Sequence, residues 1–246
     1  MMPIALLSRE LLFPPPEAAT EDGLVAIGGD LSPARLLLAY GQGIFPWPTR
    51  GFPLLWFSPD PRFVLEPSGV HLSRSLRKAM RRSGLEIRMD TRFAEVIEAC
   101  GEVPRPDQDG SWITDALVDG YVQLHERGYA HSVEAYRDGA LVGGLYGVCL
   151  GRVFFGESMF TLEPNASKVA FGTLLAQLMR WEIPLVDCQV HTQHLERFGA
   201  REWSRARFLA RLRDLVGSET RRGPWRLELD PAEALAQLLA DPSAGA

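Results

Sequence analysis

The residues best suited to chemistry are a carboxylate set among apolar neighbours and a carboxylate and amide two positions apart. Glu157 falls in Gly156-Glu157-Ser158-Met159-Phe160-Thr161-Leu162-Glu163-Pro164-Asn165-Ala166-Ser167-Lys168, beside Met159 and Phe160. A segment that carries a carboxylate and aromatics from a strand to a helix start suits the wall of a ligand pocket. It equally suits a hydrophobic strand end with Asn165 as an ordinary helix cap. Asp187 and Gln189 fall in the short apolar run Leu185–Val190. Period-two alternation puts Leu185, Asp187 and Gln189 on one face and Val186, Cys188 and Val190 on the other. Same-face neighbours stand roughly 6.6 Å apart, so the pair can hydrogen-bond to each other or clamp one polar ligand group. A pair facing solvent fits the pattern as well.

These residues need elements to hold them. His131–Tyr136, Leu141–Cys149 and Arg152–Phe155 read as three strands, with Arg137-Asp138-Gly139 and Leu150-Gly151 as hairpin turns. A helix from Ala166 to Trp181 follows, and then the strand at Leu185. Three antiparallel strands, a crossover helix and a further strand make an α+β arrangement. Upstream, Ser32-Pro33 opens a helix through Tyr40 that Gly41 or Gly43 ends. Gly28-Gly29 lacks the spacing of a phosphate-binding loop and reads as a turn. Residues 44–47 and 54–61 are aromatic and proline-rich, cannot be long helices, and suit a cleft lining or a packing surface. Helices are expected at His71–Ser83, Thr91–Ala99 and Thr114–Arg127. A further helix is expected after Ser204, with Phe208, Leu212, Leu215 and Val216 inward, and a peripheral one at Pro231–Leu239. The change of style near Val64 divides the chain into a small N-terminal domain, 1–63, and a larger one, 64–246.

With 246 residues, 46% of them apolar and 23% charged, the chain has material for real cores and little tendency to disorder. The N-terminal residues lack the features of a signal peptide and no run of eighteen apolar residues occurs, so the expected location is the cytoplasm. Cys100, Cys149 and Cys188 lie far apart without a CxxC pair, which points to buried reduced thiols and to neither a disulfide framework nor a metal site. The net charge of −5 argues against a general coat for nucleic acid. Locally the balance reverses: Arg74, Arg77, Lys78 and Arg81 share one face of the predicted helix, with no acid in His71–Ser83. Such a stripe is either a solvated face or a contact for one nucleic-acid ligand held at one place.

The segments FPPPEAATEDGLVAIGGDLSPARLLLAYGQGIFPW, LLWFSPDPR, SWIT, AHSVEAYRDGALVGGLYG, FFGESMFTLEPNASK and LVDCQVHTQHLERFGA together resemble the bacterial leucyl/phenylalanyl-tRNA-protein transferases, in order and to about residue 215. The resemblance implies transfer of leucine or phenylalanine, with methionine a further donor, from aminoacyl-tRNA to the α-amino group of proteins that begin with Arg or Lys. Such proteins are thereby marked for N-degron-dependent degradation. It also implies a GNAT-like, acetyltransferase-type second domain with a mainly antiparallel sheet and flanking helices, and neither cofactor nor metal.

By the same resemblance, Trp47, Trp112, Phe154 and Gly156 match the pocket for the terminal adenosine and the aminoacyl group. Glu157, Asp187 and Gln189 match the polar residues that hold and activate the acceptor amine; the charge stripe, read on its own, makes Arg74, Arg77, Lys78 and Arg81 the candidates to meet the tRNA backbone. Two pocket positions where relatives carry phenylalanine are here Leu174 and Leu178, which puts the balance between leucine and phenylalanine in question, since apolar pockets discriminate by only about 1 to 3 kcal/mol per methylene. An amide takes up no proton near neutrality, so Gln189 is expected to orient the amine by accepting a hydrogen bond while Asp187 fixes Gln189. Glu157 is expected to meet the cationic acceptor terminus. Two rivals fit parts of the sequence: a coenzyme A-dependent acetyltransferase, although Glu163-Pro164-Asn165-Ala166-Ser167-Lys168 offers no glycine-rich loop to a pyrophosphate, and a non-catalytic tRNA-binding module.

Overall fold

The computed structural model describes residues 4–48, 51–102 and 113–240. Its elements are β1 (Ala5–Leu7), β2 (Leu24–Gly28), α1 (Pro33–Gly41), β3 (Phe45–Pro46), β4 (Leu55–Phe57), β5 (Arg62–Leu65), α2 (Arg74–Arg82), β6 (Glu86–Met89), α3 (Phe93–Glu102), α4 (Asp115–Glu126), β7 (Ala130–Arg137), β8 (Ala140–Leu150), β9 (Val153–Thr161), α5 (Ala166–Arg180), β10 (Leu185–Gln189), α6 (Gln193–Glu196), β11 (Arg201–Trp203), α7 (Arg205–Val216) and α8 (Pro231–Ala240). The fold is mixed α+β, with a four-stranded N-terminal sheet ordered β1-β2-β4-β3 and a seven-stranded sheet ordered β11-β5-β10-β9-β8-β7-β6. In the larger sheet every pairing is antiparallel except β10 with β9, the pair that α5 connects.

Local sequence accounts for the helix starts. Ser32, Ser73, Thr114 and Ser204 each accept a hydrogen bond from a backbone N–H in the first turn of α1, α2, α4 and α7, satisfying a donor the helix cannot pair itself. Asn165 differs: it precedes α5 in the left-handed region, at φ 69°, and makes no side-chain capping bond. The near-continuous apolar run of β8 follows from burial of the large sheet on both faces. On one face α5, α2 and α8 cover Val133, Leu145, Phe154 and Val186; on the other, α1, α3, α4 and α7 gather with the N-terminal sheet over Tyr146, Val148, Phe155 and Leu185. Gly143 admits α5 to the sheet, because a Cβ there would lie 2.6 Å from that of Ala166.

Several expectations change. The third strand continues to Thr161, so Gly156–Phe160 belongs to β9 and is no connector. Its alternation is broken by a bulge, which hides a strand from a period-two reading. The helix at 231–240 is not peripheral, since Ala234, Leu235 and Leu238 are buried against α5. β5, which lies at the expected boundary near Val64, pairs with β10 and β11 in the large sheet. The three cysteines are free and buried. Among the described residues no helix is long and apolar enough to cross a membrane.

Candidate active site

Two irregularities in neighbouring strands create the site. In the β8–β9 ladder Tyr146 pairs with Ser158 and Gly147 with Gly156, so Glu157 is the extra residue of a bulge. In the β10–β5 ladder Asp187 pairs with Val64 and Gln189 with Phe63, which leaves Cys188 as the extra residue, and Gln189 takes a φ of 63°. Bulges bend a strand and re-aim its side chains, and here they turn Glu157 and Gln189 toward each other. The Gln189 Nε2 donates to Glu157 Oε1 at 2.8 Å. Gly147 makes the first bulge feasible: a Cβ there would lie 2.3 Å from the Phe155 carbonyl oxygen and 2.5 Å from the Phe154 ring.

The bulge in β10 also changes the expected faces. Val190 packs against the core that holds Leu185, while Val186 and Cys188 join the opposite core. Asp187 and Gln189 do not face solvent; both are buried. Their link is through the backbone, because the Gln189 N–H donates to Asp187 Oδ1 at 2.9 Å. The side-chain partner of Asp187 is a residue the sequence did not single out. Arg62 donates from Nε to Oδ1 at 2.8 Å and from a terminal nitrogen to Oδ2 at 2.6 Å, and both side chains are at most 1% exposed. The guanidinium lies between the rings of Phe45 and Phe208, 4.7 and 4.6 Å from their centroids, and donates to the Gly43 carbonyl at 3.1 Å. A buried ion pair needs this degree of satisfaction, since desolvation otherwise outweighs the attraction.

Glu157 is held by three donors. Besides Gln189, the Tyr40 hydroxyl of α1 meets Oε1 at 2.7 Å and the Tyr121 hydroxyl of α4 meets Oε2 at 2.9 Å. The two phenols also hydrogen-bond to each other. Burial pushes the Glu157 carboxyl up to about 7; the Tyr40 and Tyr121 hydroxyls oppose the rise, the charge of Asp187 adds to it, and the Gln189 amide opposes it. Burial also raises both phenols well above their usual range, with the charge of Glu157 adding to it. They therefore remain protonated donors across the physiological range.

Glu157 and Gln189 open onto a cavity of about 630 Å³ whose walls include Trp47, Phe154, Gly156, Met159 and Phe171. An apolar cavity with a few convergent polar groups, one of them strongly perturbed, is the usual form of a binding site. Trp47, Phe154 and Gly156 are thus brought together with Glu157 and Gln189, and Asp187 stands directly behind them. Trp112 lies outside the described residues. Leu174 and Leu178 require correction as wall residues: both are fully buried in the core and lie outside the cavity lining, which α5 reaches instead with Ser167, Lys168 and Phe171. A 3.6-residue repeat places Phe171 close to the face of Leu174 and Leu178, one turn nearer the strand end.

Arg74, Lys78 and Arg81 are exposed on α2, and Arg77 is partly buried with its Nε on the Leu72 carbonyl at 2.9 Å. Among the described residues none of these four cations makes an ion pair. Their helix packs against α5, which supplies part of the cavity wall. Among the described residues no three His, Cys, Asp or Glu side chains gather as a metal site.

Comparison with known proteins agrees over nearly the whole chain. Residues 64–213 match the family described as leucyl/phenylalanyl-tRNA protein transferase, and residues 29–60 match that described as its N-terminal domain. A leucyl/phenylalanyl-tRNA–protein transferase of Myxococcus xanthus is 58% identical over 91% of this chain and 97% of its own. Proteins with the same name from Syntrophus aciditrophicus and Nitrosospira multiformis are 50% and 52% identical, covering 95% and 94% of this chain and 98% and 100% of theirs.

Proposed function

The chain belongs to the leucyl/phenylalanyl-tRNA protein transferase family and is an aminoacyltransferase, and from that premise we propose that it moves leucine or phenylalanine from charged tRNA onto proteins with N-terminal Arg or Lys. Methionine is a further donor in this reading, and the products are substrates for N-degron-dependent degradation in the cytoplasm. We read the seven-stranded sheet with the α5 crossover as GNAT-like, and residues 1–63 and 64–246 as two domains that share the site.

The observation that carries the reading is the fixed orientation of Gln189 on the cavity wall. With Nε2 donating to Glu157 and the backbone N–H to Asp187, its amide carbonyl is the group left to accept a hydrogen bond from an incoming amine. The aminoacyl ester is already activated, so catalysis is chiefly a matter of holding the amine against the carbonyl carbon, and positioning alone supplies about 7 to 11 kcal/mol. In this reading Trp47, Phe154 and Gly156, with Trp112, receive the terminal adenosine and the aminoacyl group. Asp187, neutralised by Arg62, anchors the backbone of Gln189, while Glu157 meets the cationic terminus of the acceptor. The cations at Arg74, Arg77, Lys78 and Arg81 contact the tRNA backbone.

The test is transfer of radiolabel from leucyl-, phenylalanyl- and, as control, valyl-tRNA to peptides beginning with Arg, Lys, Asp or Ala. Label on the Arg and Lys peptides from the first two tRNAs, insensitive to coenzyme A, is expected. Retained tRNA binding without transfer would favour a non-catalytic binding module, and dependence on acetyl-coenzyme A an acetyltransferase. Gln189→Ala is expected to lose most of the rate; full activity in both Gln189→Ala and Gln189→Glu would remove Gln189 from its role.

A further inference from the structure

The contacts of Glu157 define a small ring of oxygens whose proton count is informative. Tyr40 meets Oε1, Tyr121 meets Oε2, and the two phenols meet each other. Three oxygen–oxygen contacts need three protons, and two phenols carry two. When Glu157 is ionised, both phenols donate to it and their mutual contact lacks a proton. When Glu157 is neutral, Oε2–H donates to Tyr121, Tyr121 to Tyr40 and Tyr40 to Oε1, so every contact is a hydrogen bond. Gln189 donates to Oε1 in both states. The neutral carboxyl completes the ring, while the ionised carboxylate keeps all three of its donors and gives up only the phenol–phenol hydrogen bond, so the same groups hold it in both states.

We propose that Glu157 accepts the proton that the acceptor's α-ammonium group gives up before attack, with Tyr40 and Tyr121 as positioning residues that hold the carboxyl in both of its states. The proposal rests on the aminoacyl-transfer reading. The ammonium and the Glu157 carboxylate become amine and carboxylic acid. The nitrogen lone pair then forms a bond to the ester carbonyl carbon. The ester C–O bond breaks with its electrons on the terminal ribose oxygen, which takes the remaining proton shed by the nitrogen. Glu157 returns its own proton to water through the cavity, so one proton is released per transfer. Nearby ionisable groups are Tyr146 on β8 behind Tyr121, Asp187 with Arg62 on β10 and β5, and Cys188, Lys168, His191 and His194 along the same cavity. Burial holds the Cys188 thiol protonated and favours neutral His194. Among the described residues, only Glu157 combines contact with Gln189, access to the cavity and a midpoint of about 7.

A free α-amino group has a pKa of about 8, so about a tenth is neutral at pH 7 and about a hundredth at pH 6. Weighing the ionised fraction of Glu157 against the neutral fraction of amine, Glu157→Gln is expected to transfer about tenfold more slowly than wild type at pH 6, about fivefold at pH 7 and about twofold at pH 8. The measurement is single-turnover kcat/KM for an Arg-initiated peptide with saturating leucyl-tRNA. Tyr40→Phe and Tyr121→Phe remove a donor to the carboxylate and are expected to move the acidic limb of the profile to higher pH, whereas a merely structural role would lower the rate without moving the limb. A Glu157→Gln deficit that is the same at all pH values would overturn the proposal. So would infrared difference spectra that show no carboxyl titrating near pH 7 in wild type and absent from Glu157→Gln. Wild-type inactivity at every pH with that titration intact would instead overturn the aminoacyl-transfer reading on which the proposal rests.

Discussion

Replacing Arg62 tests whether the site is held from behind. Arg62→Met leaves the Asp187 carboxylate buried with the Gln189 N–H, and breaking a buried pair from one side costs about 3 to 5 kcal/mol. The Gly43 carbonyl also loses its donor, worth about 1 kcal/mol, and the stacking on Phe45 and Phe208 is only partly replaced by a flexible apolar chain. A loss of about 4 to 6 kcal/mol is a large share of the 5 to 15 kcal/mol typical of a whole domain. The more informative change is Arg62→Lys, which keeps the charge but not the planar fork that bonds both Asp187 oxygens. A loss of about 1 to 3 kcal/mol is expected in urea unfolding. Because Asp187 Oδ1 also holds the left-handed Gln189, Arg62→Lys is expected to lower the single-turnover transfer rate while leaving KM for aminoacyl-tRNA unchanged. In the cycle of Arg62→Met, Asp187→Asn and the double variant, the double variant is expected to lose at least about 2 kcal/mol less than the sum of the singles. Additive losses, or an Arg62→Lys protein with wild-type stability and rate, would refute the argument.

Three further outcomes are expected. The folded-state pKa of Glu157 lies above its ordinary value, from 4.5 to about 7, so the stability it contributes is fully present below about pH 4.5 and is lost as the pH rises toward 7. Glu157→Gln cannot ionise and should therefore gain on wild type by about 2 to 3 kcal/mol between pH 4.5 and pH 8, read as a melting temperature that rises relative to wild type by about 5 to 10 °C; a constant difference between the two proteins would refute the assignment. Phe171→Ala should change the ratio of leucyl to phenylalanyl transfer, whereas Leu178→Ala should cost about 2 to 5 kcal/mol in denaturant unfolding and leave that ratio unaltered. Lys78→Glu on the exposed face of α2 should raise KM for aminoacyl-tRNA and flatten its salt dependence with little change in turnover, and an unchanged KM would make the stripe a solvated face.

How much of this was legible in the sequence depends on which physical signal each part uses. Helix starts were readable because Ser32, Thr114 and Ser204 mark them with local side-chain chemistry, and the β7–β8–β9 meander because Gly139 and Gly151 mark its turns. The short strands β1, β5, β6 and β11 were not, since each has only three or four residues and gains its place from long-range pairing that leaves little local trace. Arg62 was equally hidden, because sequence shows a cation after a proline and nothing of a partner 125 residues away.

The deeper failure concerns the bulges, and it is systematic. A period-two reading assigns side chains to faces by counting, and one extra residue reverses every assignment beyond it. That is why β9 reads as ending at Phe155 and why counting puts Val190, just past β10, on the side opposite the core it packs against. Both errors fall at the residues that form the site. A regular strand would have pointed Glu157 and Gln189 as its alternation dictates; the inserted residues let two carboxylates and an amide converge while the flanking strands stay paired. The positive φ of Gln189, which a side chain rarely adopts, persists only because the Asp187 carboxylate and the Glu157 carboxylate hold its backbone and side chain at once. Here the points at which the local pattern breaks are therefore the points at which chemistry is built, and polar residues clustered where an otherwise apolar strand loses its alternation are the sequence signal that could have found this site.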